Sequence, residues 1–158
     1  MLNGYTNADM AGDVDSRKST SSYMMTFARG AVSWQSRLQN CVALFSIEVE
    51  YIVVTEAAKE LLWMQKFLQE LGLSQEKNVL YCARQSVIHL RKNSTFHSRS
   101  KHIEVRYHWV RDALEMKQLS LEKIHTKENG SDMMTKILPA EKYAICKEKA
   151  NLGNYGPN

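Results

Sequence analysis

The sequence predicts an α/β fold in which helices flank a mixed β-sheet. Three observations lead to this expectation: the amino-terminal part alternates as strands do, a long stretch from Ser46 repeats its apolar residues at helical spacing, and two later strand-like runs alternate with helices. Strands separated by helices favour parallel pairing, whereas strands joined by short turns favour antiparallel pairing. A chain of 158 residues is long enough for one domain with its own core.

The first strands are expected before residue 40. Residues 2–6 resemble a strand, and the apolar and aromatic segment 22–28 is followed by the turn residues Arg29 and Gly30. Residues 31–36 then alternate between apolar and polar side chains, which is typical of a half-buried strand. These runs predict the antiparallel part of the sheet.

The remaining elements are predicted to alternate between helix and strand. From Ser46 the apolar residues follow steps of three and four, which predicts a long helix that Gly72 ends. The other expected elements are strands over 78–83 and 119–125 and helices over 86–90, 103–116 and 141–150. We therefore expect one domain over residues 1–150 and a flexible tail over 151–158.

Positive charge is concentrated in one segment, although the net charge of the chain is only +4. Residues 84–111 contain seven basic residues and one acidic residue, Glu104. This concentration favours a polyanionic partner, and a solvated basic helix face is the alternative. Nearby, Tyr107 is expected in the core, with base stacking by Tyr107 and Trp109 as its alternative.

The sequence gives no pattern of an extracellular or membrane protein. Three cysteines (Cys41, Cys82 and Cys146) are odd in number and far apart, which predicts reduced thiols rather than a disulfide framework or a zinc site. No signal peptide is visible, and no apolar run approaches the ~18 residues of a membrane span. We expect an intracellular protein, in the cytoplasm or nucleus, with no membrane partner; secretion would need an unrecognised route.

Several motifs occur in an order and spacing that together resemble one known family. They are residues 4–13, 17–21, 49–52, 81–88, 96–103 and 132–136. Together they resemble the ribonuclease H region at the carboxyl-terminal end of copia-type retrotransposon polyproteins. The resemblance covers residues 2–150 and implies a ribonuclease H-like fold, with a five-stranded mixed sheet flanked by helices.

The resemblance also implies a catalytic site, which this sequence has lost in part. Members of the family cleave the RNA strand of an RNA–DNA hybrid, with four carboxylates that hold two divalent metal ions. The four positions correspond here to Asn7, Glu50, Ala83 and Asp132. Glu50 and Asp132 are the expected vestigial catalytic and metal-binding residues, whereas the ligands at positions 7 and 83 are replaced.

Two carboxylates are a poor site for magnesium, because this ion prefers several anionic oxygen ligands. Asn7 keeps only a neutral carbonyl oxygen and Ala83 has no ligand. Asp9 is not expected to substitute, since it lies roughly 6.5 Å further along the strand. We therefore expect no cofactor, and Mg²⁺ or Mn²⁺ only if some activity survives.

The expected function is that of a degenerate, inactive ribonuclease H-like domain that retains weak binding of RNA–DNA hybrids or other nucleic acid. The expected phosphate contacts come from Arg91, Lys92, Arg99, Lys101 and Arg106. One alternative is an active hybrid ribonuclease of a retrotransposon. Another is a co-opted protein that binds a protein partner, because stand-alone copia-like reading frames that resemble this one occur among candidate secreted effectors of oomycete plant pathogens. The Arg-x-Leu-Arg entry motif of such effectors is absent from this sequence.

Overall fold

A computed structural model describes residues 1–10, 15, 17–39, 46–82, 90 and 101–153 of the chain. The expectations for Ala83, Arg91, Lys92 and Arg99 lie outside these ranges. So do those for the tail 154–158 and for most of the helix at 86–90, of which only Leu90 is described, as a buried helical residue.

The described residues form helices and strands in the predicted order. The strands are β1 (Asn3–Asp9), β2 (Thr20–Phe27), β3 (Gly30–Leu38), β4 (Val79–Cys82) and β5 (Ser120–Lys123), and the helices are α1 (Ser46–Glu70), α2 (Lys101–Glu115) and α3 (Ala140–Lys149). Two short 3-10 helices, Thr126–Glu128 and Gly130–Met134, lie between β5 and α3.

The strands form one sheet in the order β3-β2-β1-β4-β5. β1 is antiparallel to β2 and parallel to β4, while β2–β3 is antiparallel and β4–β5 parallel. The mixed five-stranded sheet is thereby confirmed. The β2–β3 turn was predicted one residue late: its central residues are Ala28 and Arg29, both with φ above zero, as a type I′ turn requires.

The core lies between one face of the sheet and the helices α1 and α2. Tyr51 of α1 and Tyr107 of α2 are both 1% exposed, and their ring centroids are 5.3 Å apart. The prediction that Tyr107 is a core residue is therefore confirmed. At Gly4 in β1, an added Cβ would lie 2.7 Å from the Leu80 side chain, so the core needs a glycine there.

The helices α1, α2 and α3, whose ends are described, finish in the same hydrogen-bonded motif, in which the second residue after the helix is in the left-handed region. Gly72 (φ 77°) holds this position after α1, which confirms the predicted end of that helix, and its N–H donates to the Gln69 carbonyl at 3.0 Å. Lys117 (φ 55°) and Asn151 (φ 53°) hold it after α2 and α3. Glycine and asparagine are usual here, whereas lysine is not.

Candidate functional site

Asn7, which the resemblance matches to the first family carboxylate, lies near the carboxyl end of β1. Asn7 is half-buried and is paired with Ser22 of β2. Its side-chain Nδ2 donates a hydrogen bond to Thr135 Oγ1 at 2.6 Å, and the Ser22 hydroxyl donates to the Ser131 carbonyl at 3.1 Å. Two side chains therefore hold the 3-10 helix Gly130–Met134 and the residue after it against β1 and β2.

Asn129 fixes the same 3-10 helix and was missed by the sequence analysis. Its Nδ2 donates to the Thr6 carbonyl at 2.8 Å, and its Oδ1 accepts from the backbone N–H and the hydroxyl of Ser131 at 3.1 and 2.8 Å. Asparagine before Gly130 and a serine is a typical capping residue, so this signal was available. The result is a rigid support directly beside Asp132.

Asp132 lies inside the 3-10 helix, and its side chain is 1% exposed. Its Oδ2 forms an ion pair with the Lys142 ammonium group of α3, and the Lys136 ammonium group is 4.0 Å away. A buried carboxylate is costly unless it is paired, and here two lysines of the same chain supply the positive charge.

Glu50 lies near the start of α1, at the same end of the sheet as Asn7. Gln39 ties that start to β2, since its Nε2 donates to the Val49 carbonyl at 3.2 Å and to the Ser21 hydroxyl at 3.1 Å. Ser21 is paired with Ala8, the neighbour of Asn7. Burial, followed by the nearby Tyr107 and Glu50, raises the pKa of the adjacent Tyr51 well above its ordinary value.

The structure thus brings Asn7 and the helix that carries Asp132 together, with Glu50 at the same end of the sheet. The described residues include no cluster of three or more His, Cys, Asp or Glu side chains that could hold a metal ion. The Asp132 carboxylate already contacts an ammonium group, and Asn7 offers one neutral oxygen. These residues do not fit a pair of divalent metal ions.

Two of the five predicted phosphate-contacting residues are described, and both lie on α2. Lys101 is exposed at the first position of the helix, and Arg106 is half-buried. No described helix is long and apolar enough to cross a membrane.

Comparison with known proteins finds relatives among retrotransposon polyproteins. No family model matches the chain. The chain is 55% identical over 148 residues to a retrovirus-related Pol polyprotein from transposon TNT 1-94 of Nicotiana tabacum, which covers 94% of the chain and 11% of the polyprotein. It is 36% identical over 138 residues to the Pol polyprotein from transposon RE2 of Arabidopsis thaliana, covering 87% of the chain and 10% of that relative. The chain thus spans about a tenth of the length of these polyproteins.

A shorter match concerns a pathogen protein. Over 63 residues the chain is 51% identical to Secreted RxLR effector protein 161 of Plasmopara viticola. This match covers 40% of the chain and 44% of the effector.

The fold is similar to that of a solved structure. The crystal structure of LC11-RNase H1 in complex with an RNA/DNA hybrid superimposes on this chain with a TM-score of 0.59 at 12% identity, and the match covers 85% of this chain and 93% of that one. The chain is therefore homologous to one segment of the Pol polyproteins of retrotransposons and has the ribonuclease H-like fold.

Proposed function

We propose that this domain is a degenerate ribonuclease H-like domain that does not cleave RNA but retains weak affinity for RNA–DNA hybrids or other nucleic acid. The observation that carries the proposal is the neutral side chain of Asn7 and its hydrogen bond. A neutral amide stands where the resemblance implies the first metal-binding carboxylate, and its nitrogen donates to Thr135 at 2.6 Å.

Charge explains why this replacement should abolish catalysis. Two-metal hydrolysis needs anionic ligands that hold both ions and allow one of them to activate water. In the proposed assignment only Glu50 and Asp132 remain as carboxylates, since Asn7 and Ala83 are neutral. Asp132 is in addition paired with Lys142, so a metal ion would have to compete with an ammonium group already in place. No cofactor is expected to bind tightly.

Nucleic-acid binding does not need the metal ions. The basic residues proposed for it are Arg91, Lys92, Arg99, Lys101 and Arg106. Lysine and arginine contacts to phosphates give affinity that depends on salt and little on sequence. LC11-RNase H1 binds an RNA/DNA hybrid, and the shared fold supports the same class of ligand here. An RNA–DNA hybrid is accordingly the proposed partner.

The test is a cleavage assay with an end-labelled RNA–DNA hybrid and either Mg²⁺ or Mn²⁺. We expect an intact RNA strand with the purified protein. Metal-dependent cleavage that Glu50→Gln abolishes would contradict the proposal and favour an active ribonuclease, which is the first alternative.

Restoration of the two lost carboxylates makes the test sharper. The double variant Asn7→Asp with Ala83→Asp is expected to regain metal-dependent cleavage, because it again has four carboxylates at the proposed positions. The matched control adds Asp9→Asn to this double variant, and it should cleave as well, since Asp9 is outside the proposed set. An inert but folded double variant would mean that the loss of activity extends beyond these two positions.

A second candidate function is that of an interaction protein, favoured by the 63-residue match to a secreted effector. A protein partner captured from cell extract after nuclease treatment and at high salt would support this function. Phosphate-dependent capture would be lost under those conditions. Either function is proposed for an intracellular compartment.

A further inference from the structure

A broad groove lies at the end of the sheet where β4 and β5 begin. Its volume is about 900 Å³, and it is formed by the carboxyl-terminal half of α1, the turn after α2 and the residues before the two strands. We call it the basal groove. The residues that matter for its chemistry are Trp63, Lys66, Lys77, Leu114, Lys117 and Leu119.

The charged residues that line the basal groove are mostly lysines. Lys66, Lys77 and Lys117 are exposed, and Glu76 is the one acidic residue in the lining. Within the described part of the chain, none of the three lysines forms an ion pair; the pairs found there involve other residues. The groove therefore presents unpaired cations from three separate elements.

The floor and one rim of the groove are apolar. Leu114 is half-buried and Leu119 is 5% exposed, so leucine side chains form part of the floor. On the rim Trp63 is 58% exposed, and its ring stacks on that of Phe67 with centroids 5.6 Å apart. Just beyond, Leu71 is 59% exposed. Adjacent exposed apolar side chains with a charged border are typical of protein-binding surfaces, and tryptophan is a frequent anchor in them.

The groove is separate from the site described above. The residues Asn78 and Ser120 that line it stand at the beginning of the parallel strands β4 and β5, whereas Asn7 lies near the carboxyl end of the parallel neighbour β1. A ligand in the groove would therefore leave Glu50 and Asp132 untouched. The inference does not depend on whether the domain cleaves RNA.

We propose that the basal groove binds an acidic amphipathic helix of a partner protein. Apolar side chains of such a helix would cover Trp63 and the leucine floor, while its carboxylates would face the three lysines. A nucleic-acid strand would use the lysines and the indole ring but would gain nothing from the leucines. An acidic helix satisfies both parts of the surface, so it is the occupant that the chemistry favours.

The proposal is tested with a designed, fluorescein-labelled helical peptide of about 20 residues, with leucines at positions i, i+3, i+4 and i+7 and glutamates along the flanks. Binding is followed by fluorescence anisotropy. We expect the amphipathic peptide to bind and a scrambled peptide of the same composition to bind at least tenfold more weakly. Equal binding of the two peptides, or no binding up to about 1 mM peptide, overturns the proposal.

Matched variants locate the binding. Trp63→Ala is expected to weaken binding about tenfold, whereas Trp34→Ala, at a tryptophan that is 63% exposed on β3, leaves it unchanged. Lys66→Glu is expected to weaken binding of the glutamate peptide, because it removes one positive charge from the groove and adds a negative one. Equal effects of the two tryptophan variants overturn the proposal. So does a single-stranded RNA that displaces the peptide and whose own binding needs Lys66 and Trp63, because the groove is then a nucleic-acid site.

Discussion

The two ends of the sheet differ in whether their charged side chains are paired. At the end that carries Asn7, the buried carboxylate of Asp132 is paired with Lys142, and the side-chain amide of Asn7 donates a hydrogen bond to Thr135. At the other end, Lys66 and Lys117 form no ion pair with a carboxylate of the described residues. The polar side chains at the first end are bonded within the chain, whereas the second end presents exposed lysines in the proposed binding groove.

The proposed loss of the metal site fits this difference. A cluster of close carboxylates needs bound cations to offset their mutual repulsion. In the proposed assignment Asn7 adds no negative charge, and the ammonium group of Lys142 supplies positive charge beside Asp132. Folding of this end should therefore not depend on divalent metal ions.

The largest expected effect follows from removal of that internal cation. Lys142→Met leaves the carboxylate of Asp132 buried with only Lys136, at 4.0 Å, to compensate. Breaking a buried pair in this way costs about 3 kcal/mol in the free energy of unfolding. Urea denaturation measures the loss as a lower midpoint at constant slope.

Lys136→Met is the matched control, because the Lys136 side chain is 45% exposed and an exposed pair contributes little. We expect a change of less than about 0.5 kcal/mol. Equal losses in the two variants would show that Lys142 is not the specific counter-ion of Asp132.

How much the sequence could predict differs between the fold and its surfaces. The periodicity of α1 and the glycine at position 72 are local signals, and both were interpreted correctly. Lys142 was missed because it lies ten residues from Asp132, beyond Pro139, and meets it only through the packing of α3. The carboxylate positions came from the family resemblance, since no local pattern brings β1, α1 and the 3-10 helix together.

The basal groove was missed for the same physical reason. Lys66, Lys77 and Lys117 come from α1, from the segment before β4 and from the turn after α2. Such a surface exists only after the strands have paired, so neither charge runs nor spacing reveal it. Conversely, the sequence did reveal the basic segment 84–111. Of the five phosphate contacts proposed there, the structure describes Lys101 and Arg106.

An intermediate effect is expected at high pH and tests how tightly the start of α1 is packed. Burial raises the pKa of Tyr51, so the folded chain keeps a proton that the unfolded chain loses above about pH 10. The free energy of unfolding should therefore fall with increasing pH in this range, by about 1.4 kcal/mol per pH unit for one such group. Tyr51→Phe should make this decline shallower in urea titrations from pH 9 to 11.

Tyr5→Phe serves as the comparison, because burial also raises the pKa of Tyr5 but Tyr51 has the larger shift. Its effect on the slope should be smaller. An unchanged slope in Tyr51→Phe would mean that this phenol opens to solvent before the chain unfolds.

The smallest expected effect is an increase in stability at the edge of the basal groove. Lys117 has a φ of 55° in the position after α2 that glycine usually holds, as Gly72 does after α1. Lys117→Gly should raise the free energy of unfolding by about 0.5 to 1 kcal/mol, since glycine adopts this conformation without steric cost. Asn151→Gly, the matched change after α3, should gain less because asparagine tolerates the same conformation.

The same two variants test whether Lys117 belongs to the basal groove. If Lys117→Gly weakens binding of the acidic peptide and Asn151→Gly does not, Lys117 contributes to peptide binding at a cost in stability. A variant that is more stable and binds the peptide as well as before would remove Lys117 from the proposed interface.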